Sequence, residues 1–120
     1  MRLKKIFLFL PKFNFDMGIL SLFKKKSSMN GKIQEYLNNG AVVIDVRTVG
    51  EFSMGNVDGS LNIVLDTIPA RVEELKKLGD QLIAVCRSGA RSGTAADFLC
   101  DQGLDVINGG PWQNVDQFVK

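Results

Sequence analysis

Three apolar runs, Ala41 to Ile44, Leu61 to Leu65 and Leu82 to Val85, alternate with helical patterns along residues 29–120. A strand that is apolar throughout must be covered on both faces. Strands of that kind separated by helical segments call for an α/β domain: a central parallel sheet flanked by helices on both faces. The intervening segments fit this plan. Ile33, Tyr36 and Leu37 share helical spacing, and Gly40 follows as a stop. Thr48 with Glu51 three residues later is a capping box. Asp66 is placed to cap a helix carrying Ile68, Val72, Leu75 and Leu78 on one face, ended by Gly79. A further helix turns Ala95, Phe98 and Leu99 inward and ends at Gly103, and Val106-Ile107 forms a last short strand. Val115, Phe118 and Val119 mark a closing helix with Pro111 in its first turn. There Trp112 is expected to serve as a core lid beside the carboxyl edge of the sheet.

Composition removes several chemistries at once. The 120 residues contain no histidine, which excludes Ser-His-Asp and Cys-His catalysis and H-E-x-x-H zinc sites. The two cysteines, Cys86 and Cys100, are too few for a structural zinc site or a disulfide scaffold. No metal and no cofactor is expected. The net charge of +2 is unevenly spread. Residues 1–28 carry seven basic residues against Asp16, a net +6, whereas residues 29–120 carry eight bases and twelve acids, a net −4. A mildly acidic body does not suit nucleic-acid binding.

Residues 1–28 read as a basic leader that also holds five of the eight phenylalanines. Pro11 and Lys12 cut its first apolar stretch short, so the pattern fails as a secretory signal. The leader is expected to be poorly ordered, or an extension upstream of a start at Met17 or Met29. A basic amphipathic segment touching a membrane surface, or a degenerate export signal, are the other readings. The domain proper is expected over residues 29–120. A reactive thiol and the lack of a signal together favour the cytoplasm.

The chemistry concentrates after the third apolar run, in Cys86-Arg87-Ser88-Gly89-Ala90-Arg91-Ser92. Ligands of open parallel sheets bind at the carboxyl ends of strands, and Cys86 stands at such an end just before a helix. A helix N-terminus offers unpaired N–H groups and partial positive charge. Gly89 lets the loop curl so that these N–H groups converge, and Arg87 and Arg91 add charge. Each feature favours thiolate over thiol. The segment therefore reads as a nucleophilic thiolate in an anion-binding cradle that needs no histidine base. The bland alternative is a buried structural cysteine at a strand end.

This loop resembles the active-site loop of single-domain rhodanese sulfurtransferases. Val43-Ile44-Asp45-Val46-Arg47 with Glu51-Phe52 resembles a second element of that family, Gly55 to Asn62 its "GHIPGA-x-N" segment, and Asn108-Gly109-Gly110 its Gly-Gly turn. The likeness runs over about residues 30–115 and is nearest to the small one-domain type similar to phage-shock rhodaneses. It implies a rhodanese-like fold and a persulfide mechanism. Cys86 would attack the outer sulfur of a small anionic donor such as thiosulfate. A thiophilic acceptor would then remove that sulfur: cyanide, or a thiol, including one on a thioredoxin-like protein. Catalytic roles fall to Cys86 and Arg91, and substrate-binding roles to Arg87, Ser88, Gly89, Ala90 and Ser92. Asp45 and Arg47 would brace the neighbouring strand end by ion pairs. Asn56 and Asp58 stand where the family usually has histidine and proline.

The rhodanese fold is shared with cell-cycle protein phosphatases and some arsenate reductases, whose loops are one residue longer. Four residues separate Cys86 from Arg91 here, and the smaller cradle suits a sulfane sulfur. A non-catalytic sulfide-sensing or partner-binding module is the remaining alternative. Cys100 is not expected to pair with Cys86. Along a helix the two would lie roughly 13 Å apart at ~1.5 Å per residue, beyond the reach of a disulfide.

Overall fold

In the computed structural model, residues 28–120 are described, so the leader reading of residues 1–28 falls almost wholly outside them. A unit boundary lies after Gly31, and the fold below is that of Lys32–Lys120. Its elements follow in chain order. Helix α1 (Ser28–Asn38) leads to strand β1 (Val42–Asp45), short helix α2 (Val49–Ser53) and strand β2 (Leu61–Asn62). A 3-10 segment (Leu65–Arg71) continues into helix α3 (Val72–Lys76) and strand β3 (Gln81–Cys86). Helix α4 (Ala90–Asp101), strand β4 (Asp105–Pro111) and helix α5 (Trp112–Val119) complete the chain.

The four strands form one parallel sheet in the order β2-β1-β3-β4. Side chains alternate across it with the period of two that a strand imposes. On β3, Leu82, Ala84 and Cys86 point to one face, with Ile68, Leu75, Ala95, Ala96 and Leu99 from the 3-10 segment, α3 and α4. Ile83 and Val85 point to the other, with Ile33 and Tyr36 of α1 and Val115 of α5. Both faces are covered, as the apolar runs require. Each large aliphatic side chain buried in this way contributes about 1.5–3 kcal/mol.

Two expectations needed correction. The run from Leu61 to Leu65 is a strand only at Leu61–Asn62. Beyond it the chain turns into the 3-10 segment, which contains Pro69 and has Val64 rather than Asp66 at its N-cap position, with no side-chain cap. Proline has no N–H to donate into a ladder or a helix interior, so the helix proper begins only at Val72. The last strand is longer than Val106-Ile107 and absorbs the expected Gly-Gly turn. Ala84 pairs with Asn108 and Val85 with Gly110, so Gly109 is the extra residue of a β-bulge.

That bulge needs glycine for a steric reason. A Cβ on Gly109 would lie 2.7 Å from Ile83 Cγ2, 2.8 Å from Val115 Cγ2 and 3.0 Å from Val85 Cγ1. All three contacts are branched side chains with little rotamer freedom. Gly109→Ala is therefore expected to cost about 1–3 kcal/mol, the usual range for overpacking. For a domain of this size each kcal/mol lowers the melting temperature by roughly 4–8 °C. An unchanged melting temperature would contradict this account of the bulge.

Candidate active site

Cys86 ends β3, and its side chain is fully buried on the α4 face of the sheet. Gly89 makes the turn into α4 with φ +103°, a left-handed conformation that costs glycine little. A Cβ there would approach the Gly110 Cα at 3.3 Å, so the loop lies directly on the β4 backbone. The turn folds the loop around the sulfur. Gly89 N–H donates to Sγ at 3.0 Å and Ser92 N–H at 3.3 Å, while the Ser92 hydroxyl lies 3.3 Å from Sγ. Ser92 is itself fully buried.

These contacts decide the state of the thiol. Burial is the largest single influence on Cys86 and raises its pKa. The Ser92 hydroxyl and the backbone N–H groups of Ser92, Gly89 and Ser88 act the other way, and together they prevail. The thiol is thus more acidic than an ordinary cysteine. Arg91 keeps a charge interaction with Cys86, but its hydrogen bonds go elsewhere. Arg91 turns its guanidinium to Glu51, with Nη1 donating to Oε1 at 2.8 Å and Nη2 to Oε2 at 3.0 Å. Arg87 is exposed and stands at the cavity mouth. Ala90 is exposed at the first position of α4, where its N–H meets the Ser88 hydroxyl at 3.4 Å.

The neighbouring strand end is braced by a buried ion pair. Asp45 closes β1, and Arg47 grips it in a fork, Nε to Oδ1 at 2.9 Å and Nη2 to Oδ2 at 2.7 Å. The Arg47 backbone N–H adds a third bond to Oδ1 at 3.0 Å. Arg47 then reaches across to the carbonyls of Glu51 at 3.2 Å and Gly55 at 2.7 Å, and lies 5.2 Å from the centre of the Trp112 ring. One arginine so ties β1, α2 and the start of α5 together. Removing one partner of such a buried pair typically costs 3–5 kcal/mol, since the other charge is left unmatched. Asn56, at the usual histidine position, donates to the Phe52 carbonyl at 2.9 Å and is a local structural brace.

A cavity of about 310 Å³ opens over this region, lined by Arg47, Glu51, Met54, Gly55, Arg87, Trp112 and Gln113. Trp112 therefore shares a wall with Arg87, on the carboxyl edge where it was expected. Cys100 lies on the exposed side of α4 and donates to the Val106 carbonyl at 3.2 Å, and both cysteines are free. Among the described residues no group of three or more His, Cys, Asp or Glu is placed to hold a metal ion. Asn108 is the residue whose part the sequence reading missed. It had appeared only as the start of a Gly-Gly element, and the bulge that turns it toward the loop has no signal beyond those glycines.

The chain is thus a parallel α/β domain with an N–H-lined cysteine loop at the carboxyl edge of its sheet. Comparison with known proteins gives the family. The model of the rhodanese-like domain matches residues 29–110. This chain belongs to the rhodanese-like domain family. It is 39% identical over 66 residues to a sulfurtransferase of Allochromatium vinosum, an alignment covering 55% of this chain and 61% of that one. It is 28% identical over 83 residues to the thiosulfate sulfurtransferase GlpE of Shewanella oneidensis, covering 69% and 81%. The crystal structure of a rhodanese-like domain protein from Staphylococcus aureus superposes with a TM-score of 0.54 at 26% identity, covering 69% of this chain and 86% of that one.

The Glu51–Arg91 pair yields a pH prediction. Its bond to Arg91, foremost, and those from Thr48 lower the Glu51 pKa from 4.5 to about 2. A carboxylate depressed in the folded state stabilises fully above its unfolded pKa, and that stability is lost as pH falls through the folded one. The melting-temperature gap between wild type and Glu51→Gln should hold from pH 7 down to about 4.5 and shrink toward pH 2. A gap that stays constant over that range would contradict the pairing.

Proposed function

We propose that this chain is a sulfurtransferase that carries a sulfane sulfur on Cys86. Family membership and the relatives named above support a sulfurtransferase-type activity in general. The observation that carries the finer reading is the Cys86 sulfur itself, which receives the N–H groups of Gly89 and Ser92 inside a loop too short to enclose a larger oxyanion. The Cys86 thiolate attacks the outer sulfur of thiosulfate. A sulfur–sulfur bond forms at Sγ, the bond to the sulfonate breaks, and sulfite leaves with the electron pair. The same N–H groups then face the terminal sulfur of the persulfide. Cyanide or a thiol takes that sulfur and returns Cys86 as thiolate. Exposed Arg87 attracts the anionic donor, and Arg91 fixes α4 to α2 through Glu51. A reducing compartment, the cytoplasm above all, suits a thiol that must stay free between turnovers.

The test is thiosulfate-to-cyanide turnover across three variants. Cys86→Ser should lose at least about a thousandfold, as removal of a nucleophile does. Arg91→Ala should lose about ten- to a hundredfold, as displaced catalytic groups do. Cys100→Ser should match wild type. A large loss at Cys100, or retained turnover without the Cys86 thiol, would overturn the assignment, as would faster turnover of an aryl phosphate than of thiosulfate.

A further inference from the structure

The loop that surrounds Cys86 is held from outside by one side chain on β4. Asn108 Nδ2 donates to the Gly89 carbonyl at 3.0 Å, and its Oδ1 accepts the Ser92 hydroxyl at 2.7 Å. Oδ1 also accepts the Gly110 N–H at 2.9 Å. The two backbone partners settle which way the carboxamide faces, because only a donor suits the Gly89 carbonyl and only an acceptor suits the Gly110 N–H. The two loop residues that Asn108 grips, Gly89 and Ser92, also direct their N–H groups to Sγ. The fit is close on every side. A Cβ on Gly93 would come within 3.1 Å of Asn108 Nδ2, and one on Gly89 within 3.9 Å. The bulge at Gly109 produces this arrangement by setting Asn108 opposite Ala84 and Gly110 opposite Val85.

We propose that Asn108 is a positioning residue for Cys86: from β4 it holds the cysteine loop at its Gly89 turn and at Ser92, and so keeps the Gly89 and Ser92 donors aimed at the sulfur. It touches neither the sulfur nor a substrate and acts through Gly89 and Ser92. The charged groups facing the loop are otherwise committed. Asp45 is paired with Arg47 and Glu51 with Arg91, and Arg87 lies exposed at the cavity mouth. Arg91 still acts on the sulfur through its charge, and the remaining acidity depends on donor geometry, which Asn108 holds. In relation to sulfur transfer this inference rests on the reading above, but its effect on the thiol does not.

The test is the pH dependence of Cys86 alkylation by iodoacetamide, with Cys100→Ser as the background so that a single thiol reports. Asn108→Ala should move the midpoint upward by about one unit, a tenfold smaller thiolate fraction below the midpoint. Because the Ser92 hydroxyl gives its one proton to Asn108 Oδ1, Ser92→Ala removes part of the same anchor and should move the midpoint in the same direction. The double variant should shift by less than the sum, because both act through one set of contacts. Melting temperature and circular dichroism on the same samples establish that each variant is folded. Should Asn108→Ala fold poorly, Asn108→Ser gives the same reading, since its side chain is too short to span to Gly89. A midpoint that stays in place or falls in a folded Asn108 variant overturns the proposal, as does full additivity with Ser92→Ala. The experiment contains no sulfur donor, so its outcome is independent of whether thiosulfate is the substrate.

Discussion

A thiol cut off from water ionises only where other donors replace its lost hydration. Burial alone would make Cys86 less acidic, and the surrounding structure counters that influence. The compensation comes from the Ser92 side chain and from peptide N–H groups, which cannot titrate and whose directions the fold sets. A strand must end, a helix must begin, and the residue between them must accept a left-handed conformation. β3, α4 and Gly89 supply these conditions within four residues.

The flanking charges act as struts on that arrangement. Arg47 neutralises the buried Asp45 and then bonds the carbonyls of Glu51 and Gly55, which draws α2 and the following loop over the sheet edge. Glu51 is capped onto Thr48 and clamps Arg91 on α4, so β1 and α4 are linked through a helix of only five residues. Trp112 covers the Arg47 fork and meets Gly55 closely, where a Cβ would lie 3.2 Å from its ring. Arg47, Glu51, Gly55 and Trp112 so form walls of the cavity that Arg87 also lines.

Much of this was legible in the sequence, because apolar runs and caps are local signals. The strands at Val42–Asp45 and Gln81–Cys86 follow from continuous apolar stretches, and the Thr48–Glu51 capping box from a spacing of three. Cys86 and Gly89 stood out because chemistry and conformation coincide there. What could not be read depended on register or on partner choice. Pro69 displaced the helix after β2 to Val72, a tertiary outcome that the apolar spacing concealed. A one-residue bulge at Gly109 decided the facing of Asn108. The sequence shows Arg91 close to Cys86 but not that its guanidinium is taken by Glu51, forty residues away.

The central claim is that Cys86 accepts and holds a sulfur atom. Its most direct test is the intact mass of the reduced protein before and after exposure to thiosulfate, with Cys86→Ser alongside. The account predicts a gain of one sulfur atom in the wild-type chain, absent from the variant and reversed by cyanide. An unchanged wild-type mass, or an equal gain in the variant, would contradict it.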